Sequence, residues 1–325
     1  MLKKLLLAAM AAGIVAVPGI AAAQDYPSRP VTMIIPFAAG GPTDVLGRVV
    51  GQRLGEILGQ QVVIENVGGA GGQTGSKRVA DAKPDGYTFV LGTVGTHAQG
   101  QTLYKKPLYN SVEDFTPVAL LAEVPIAITA RKDLQVNGLK EFVEYAKKNR
   151  DKMTFGSAGA GSATHLGCVV ATMAMGTDIT HVPYRGTGPA MQDLQGGRID
   201  FLCEIISTAK PHIDSGAVKA IAIMTKERSP ALPNLPTAAE QGLPMEAYTW
   251  NAVFLPKGAP EAVVKKLADA LNQTMDTPAV KERLAGLGAM VVPADRRTPA
   301  YLQKFLKEEI AKWREPILKS GAQVD

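Results

Sequence analysis

Residues 153–165, Met-Thr-Phe-Gly-Ser-Ala-Gly-Ala-Gly-Ser-Ala-Thr-His, gather hydroxyls, small side chains and an imidazole into one short stretch. Thr154 and Phe155 suit the end of a strand, three glycines loosen the turn, and Ser162 or Thr164 can cap a helix continuing through Leu166, Val169, Val170 and Met173. A helix starting there presents N–H groups with no intrahelical partner, and its dipole adds partial positive charge. Small residues then let an anion reach the backbone. A second stretch repeats the pattern. Residues 32–37 read as a buried strand, Ala38-Ala39-Gly40-Gly41 as a small-residue loop and Pro42-Thr43-Asp44 as a cap, with Val45, Val49 and Leu54 at helical spacing. Close packing of strand on helix accounts equally well for either glycine loop alone. Together they predict a ligand with two anionic ends, or one anion held from both sides.

Several chemistries are excluded. No Lys follows either glycine loop, so neither is a phosphate-binding P-loop, and 159–164 lacks the third glycine of a dinucleotide fingerprint. The four histidines, His97, His165, His181 and His212, have no metal-ligand spacing, and no C-x-x-C occurs, so neither metal nor cofactor is expected. Phe155 stands where a nucleophile elbow needs its first glycine before Ser157. Ser162 and His165, at i, i+3, leave a secreted hydrolase as the enzymatic alternative. Further candidates lie near strand ends: the glycine loop at 66–72, the 92–97 turn with its hydroxyls and imidazole, and Arg185, which could meet a carboxylate or simply face water.

The elements needed to position these turns alternate along the chain. Apolar β-rich runs at 31–37, 61–66, 87–93, 117–130, 179–184, 199–204, 218–225 and 250–255 are interleaved with helical patterns at 43–58, 73–82, 138–149, 162–175, 187–195 and 260–276. This predicts an α/β fold with mainly parallel sheets in two lobes, one anion-ready turn in each and the ligand in the cleft between them. Residues 1–23 combine Lys3 and Lys4, an apolar run from Leu5 to Ile20 and Ala21-Ala22-Ala23, as in a cleaved secretory signal peptide. The net charge of +5 falls by two on its removal, and basic residues are scattered among acidic ones, so no nucleic-acid partner is expected. The two cysteines, Cys168 and Cys203, are no disulfide framework. One bridge or two separately buried thiols both remain open.

A series of motifs resembles the Bug (TctC-type) family of extracytoplasmic receptors of tripartite tricarboxylate transporters. The matching stretches are 26–30 (Tyr-Pro-Ser-Arg-Pro), 36–44, 69–72, Pro84-Asp85-Gly86-Tyr87-Thr88, 155–159 with Gly161-Ser162 and His165-Leu166, His181-Val182-Pro183-Tyr184-Arg185-Gly186, and 228–233 with Leu235-Pro236-Thr237. Trp250, Pro256-Lys257-Gly258-Ala259-Pro260 and 309–313 continue the series. The resemblance spans essentially the whole chain after the leader.

The resemblance implies a type II periplasmic-binding-protein-like (Venus flytrap) fold, closing over a small carboxylated molecule held by backbone N–H groups and hydroxyls. By position it implies a site of Phe37, Ala38, Gly40, Gly41, Thr43 and Asp44 facing Ser157, Ala158, Gly161, Ser162, Ala163, Thr164 and His165, with Thr93, Thr96, His97, Tyr184 and Arg185 around them. Lobe 1 is expected over 24–103 with 225–325, its C-terminal helix free to cross over, and lobe 2 over 104–224, hinged near 101–118 and 224–228. The chain departs from the usual family pattern at Asn66-Val67-Gly68, at Gly167-Cys168 and at Cys203-Glu204. Both cysteines replace family residues near the cleft-side ends of their elements, so the resemblance allows them to be neighbours. Glu204 keeps an acid near the site, free to accept from a ligand donor or from backbone. The implied role is a periplasmic, monomeric solute-binding protein that is not an enzyme and docks on membrane permease subunits. A sensory receptor presenting its ligand to a kinase is a further alternative.

Overall fold

The computed structural model describes residues 26–325; the expected signal peptide at 1–23 lies outside them. Ten strands form one mixed sheet: β1 (Val31–Ile35), β2 (Val62–Asn66), β3 (Thr88–Thr93), β4 (Phe115–Arg131), β5 (Thr154–Ser157), β6 (Thr180–Pro183), β7 (Phe201–Ile205), β8 (Val218–Ile223), β9 (Tyr248–Pro256) and β10 (Met290–Val291). Their order is β2-β1-β3-β9-β4-β7-β5-β6, with β8 and β10 also pairing with β4. Helices cover the sheet: α1 (Pro42–Leu58), α2 (Gln73–Ala80), α3 (Gly100–Leu103), α4 (Leu139–Asn149), α5 (Ala163–Met175), α6 (Thr187–Gln195), α7 (Ile206–Asp214), α8 (Glu261–Asp276), α9 (Pro278–Gly286) and α10 (Pro299–Ser320).

The expected α/β architecture is present, and its two flanks are parallel as the alternation predicts: β2-β1-β3 in the first lobe and β7-β5-β6 in the second. The centre is antiparallel. β4 runs unbroken for 17 residues, pairing with β9 through its first part and with β7 and β8 through its second. Register shifts at Pro117/Ala119, Leu120/Ala122 and Ile128/Thr129 bend and twist it as it passes from one lobe to the other. The connection from β8 to β9 lies on the second lobe: Ile223 N–H donates to Pro236 O, Ala238 N–H to Ile223 O and Leu139 N–H to the Gln241 amide oxygen.

One core of apolar side chains is continuous through both lobes, with Trp250, Phe89, Phe142, Phe201 and Phe254 fully buried, and a smaller cluster around Leu194 and Leu202 lies under α6. The structure joins Cys168 of α5 to Cys203 of β7 as a disulfide. Besides the single-turn α3, three helices lie beyond the patterns recognised above. α7 starts directly at the end of β7 and contains Pro211; α9 is short and follows α8 after a single residue. α10 buries Leu302, Phe305, Leu306, Glu309, Trp313 and Ile317 at helical spacing, and Trp250 Nε1 of β9 donates to its Glu309 carboxylate at 2.9 Å. No helix of the described residues is long and apolar enough to cross a membrane.

Candidate functional site

The first turn leaves β1 and enters α1 at Pro42, which suits a first helical position because it has no N–H to satisfy. Asp44 anchors this turn. Its carboxylate accepts from Gly40 N–H at 2.9 Å, from Arg48 Nε at 2.9 Å and from Asn66 Nδ2 at 3.0 Å, and Asn66 also donates to Phe37 O. Burial pushes the Asp44 carboxyl up, but the Arg48, Gly40 and Asn66 hydrogen bonds together hold it below its ordinary value. Gly40, at φ +79°, takes the left-handed conformation the turn requires.

The second turn leaves β5 and enters α5. Ser162 is its N-cap, with Oγ accepting from His165 N–H at 3.2 Å and donating to Gly159 O at 2.7 Å. Thr164 Oγ1 accepts from Ala158 N–H at 3.0 Å, and Ser157 Oγ from Gly159 N–H at 3.0 Å. His165 Nδ1 accepts from Gly161 N–H at 3.2 Å. The Ser162 hydroxyl therefore bonds a carbonyl and not an imidazole, the opposite of what a serine nucleophile needs.

Each turn is held by a segment distant in the chain. Ala38 N–H donates to Arg185 O at 3.2 Å, and Tyr104 OH donates to Ala160 O at 2.6 Å. Between them Phe37, Pro42, Thr43, Thr93, Ala158, Ser162, Ala163, Thr164, Thr187, Ile205 and Thr249 enclose a cavity. Three helices begin at its wall: α1 at Pro42 and Thr43, α5 at Ala163 and Thr164, and α6 at Thr187. Hydroxyls from Thr43, Thr93, Ser162, Thr164, Thr187 and Thr249 line it, and no ionisable side chain does. The ends of α5 and α6, with no acidic residue in their first turns, favour an anion, whereas Asp44 in the first turn of α1 offsets part of that helix's field. The free space is ≈ 20 Å³, about one water molecule's worth, so anything larger enters as the lobes part.

Seven of the expected site residues meet at this cavity: Phe37, Thr43, Thr93, Ala158, Ser162, Ala163 and Thr164. Ala38, Gly40, Gly41, Ser157 and Gly161 shape the turns from behind the lining, and Asp44 has its oxygens occupied as described. Thr96 closes a capping box with Thr93 and contacts His97 Nδ1 at 2.8 Å. His97 stacks on Phe254 at 4.1 Å, and burial drives its pKa down to about 3. His165 stacks on His181 at 4.2 Å, and burial, helped by His181, drives it to about 3. Tyr184 OH donates to Asp193 at 2.7 Å, and Arg185 is exposed and meets the first turn through its carbonyl. Glu204 is fully buried beneath the cavity. Thr208 donates to one oxygen at 2.6 Å, the other makes no hydrogen bond among the described residues, and burial pushes its carboxyl up to about 7 against the Thr208 and Thr187 hydroxyls.

Thr187 and Thr249 were not anticipated. Thr187 lines the cavity, and its buried Oγ1 lies toward the Glu204 carboxyl without completing a full hydrogen bond to any described residue. Its signal was legible in Gly186-Thr187-Gly188, a third small-residue turn from strand to helix. Thr249 lies on β9, whose contribution no local pattern reveals.

The model of the tripartite tricarboxylate transporter family receptor (TctC) matches residues 46–322. A UPF0065 protein of Agrobacterium vitis is 44% identical over 306 residues, covering 94% of this chain and 88% of its own. The structure of MatC from Rhodopseudomonas palustris with bound malate superposes with a TM-score of 0.87 at 41% identity, over 90% of this chain and 100% of that one. A Rhodopseudomonas palustris structure with adipate gives a TM-score of 0.86 at 33% identity, over 91% and 98%.

Proposed function

The chain belongs to the tripartite tricarboxylate transporter receptor family, and from that premise we propose that it is a periplasmic solute-binding protein capturing a small di- or tricarboxylate for membrane permease subunits. One observation carries the ligand class: three helix N-termini and six hydroxyls converge on a cavity lined by no ionisable side chain. Such a site holds a carboxylate through backbone N–H groups and hydroxyls, without an ion pair. Similar proteins hold malate and adipate, which supports this reading.

The lobes open about the hinge expected near 101–118 and 224–228, with β4 bending at its register shifts and the 229–241 segment riding on the second lobe. A dicarboxylate contacts both turns only when they approach, so its affinity shifts the population toward the closed form. Closed over a ligand, the lobes stand further apart than in this compact arrangement. The closed form is the one the permease recognises.

A thermal-shift panel on residues 24–325 with malate, succinate, adipate and citrate tests the ligand class. A ligand at ~100 Kd adds about 2.7 kcal/mol, enough to raise the midpoint by several degrees. No shift with any of the four would reject the carboxylate assignment. Co-purification of ligand-loaded protein with the permease subunits tests the partner, and capture by a kinase ectodomain instead would favour the sensory role.

A further inference from the structure

Away from the cleft, and sharing none of its lining, a groove of ≈ 480 Å³ lies between α9, the 288–297 segment and Ser229–Ala231 of the long connection. Its walls are apolar apart from Ser229 and three charged side chains, Asp276, Lys281 and Arg297. Arg297 is 2% exposed. Its Nη2 donates to Asp276 Oδ1 at 2.9 Å, while Nε and Nη1 are buried and donate to nothing among the described residues. Lys281 Nζ reaches the same Asp276 oxygen at 3.0 Å. One carboxylate is thus shared by two cations, and the lining keeps one positive charge uncompensated.

A desolvated guanidinium with two unbonded N–H groups is costly unless an acceptor comes to it. No side chain of the fold fills that place. Asn272 of α8 directs its amide N–H groups to Ala268 O and Arg297 O, and its buried Oδ1 accepts from neither Nε nor Nη1 of Arg297. Nε and one Nη form the edge of arginine that takes a carboxylate bidentately. The geometry points to a second anion site here, taking a small monocarboxylate with a compact apolar body. A small shift of the groove wall uncovers the buried Nε and Nη1 of Arg297 to the carboxylate, with Lys281 beside it, and the body packs against Pro230, Ala231, Ala289 and Val292. The apolar walls favour an organic acid over a fully hydrated inorganic anion.

The test is a ¹⁹F NMR titration of 4-fluorobenzoate into the chain from residue 24 to 325. Wild type is expected to bind at millimolar probe. Arg297→Lys keeps the charge and the Asp276 contact but removes the fork, and weakens binding at least about tenfold. Lys281→Ala, at a half-exposed position whose loss leaves the core intact, weakens it as well. A cleft variant, Ser162→Ala with Thr187→Val, leaves this titration unchanged while lowering affinity for the cleft dicarboxylate. The inference is overturned if wild type does not bind the probe, if both groove variants bind it as wild type does, or if the cleft variant abolishes it. Failure of the cleft assignment alone would leave the groove titration as it is.

Discussion

Thr187 stands between the cavity it lines and the buried Glu204 carboxyl, and its hydroxyl makes no full hydrogen bond to any described residue. Replacement by Val keeps the shape and removes the donor, and is expected to weaken carboxylate binding about tenfold with little change in melting temperature. Isothermal titration beside a melting curve separates the two; equal affinity would remove Thr187 from the site. Asp44 should behave in the opposite way. Asp44→Ala leaves Gly40 N–H and Asn66 Nδ2 without their acceptor, and is expected to cost roughly 1–3 kcal/mol of stability. Any loss of affinity then follows from a disordered turn, visible as a lowered denaturant midpoint in the absence of ligand.

At the scale of elements, closure depends on backbone meeting backbone. A Cβ on Gly95, in the π-helical turn Val94–Gln99 after β3, would lie 2.8 Å from both Ala163 N and Gly161 O of the facing lobe. Gly95→Ala is therefore expected to exclude this compact arrangement and hold the ligand-free lobes apart while each lobe stays folded. Small-angle scattering without ligand checks it: a radius of gyration equal to that of the wild type would contradict the closure geometry. The Cys168–Cys203 bond acts on stability instead, tying α5 to β7 across 35 residues. Its removal in a Cys168→Ala, Cys203→Ala variant is expected to cost on the order of 3–4 kcal/mol in the chain-entropy account, read from chemical denaturation. Equal midpoints in the two proteins would mean that the bond constrains nothing in the unfolded chain.

The whole molecule carries its buried imidazoles as an acid liability. Burial holds His97 and His165 at about 3 and His181 at about 4, whereas unfolded histidine titrates near ~6.5. Below that value the unfolded chain takes up three protons that the fold refuses, so stability falls with pH. Glu204, pushed up to about 7 by burial, works the other way between 4.5 and 7, because there the fold holds a proton that the unfolded chain releases. Three histidines against one carboxyl leave about two protons, so stability is expected to drop by roughly 2–3 kcal/mol per pH unit from ~6.5 to ~4.5. Urea titrations across that range measure the slope, and His181→Asn should reduce it by about half. A flat profile would mean that these imidazoles are hydrated in solution.

The sequence by itself determined the alternation of strands and helices, the family, and the two glycine turns, because periodicity, capping residues and small side chains are local properties that act wherever the chain goes. Ser162, Thr164 and Thr43 were legible for that reason. Only the tertiary structure decided which neighbours those turns meet. It turned Asp44 inward to its own loop, stacked His97 and His165 among aromatic rings, brought Thr249 to the cavity from β9, and joined Cys168 to Cys203. It also carried β4 through both lobes, so that a 17-residue apolar run became the link between them. Those outcomes depend on contacts between residues far apart in the chain, and one-dimensional spacing holds no record of them.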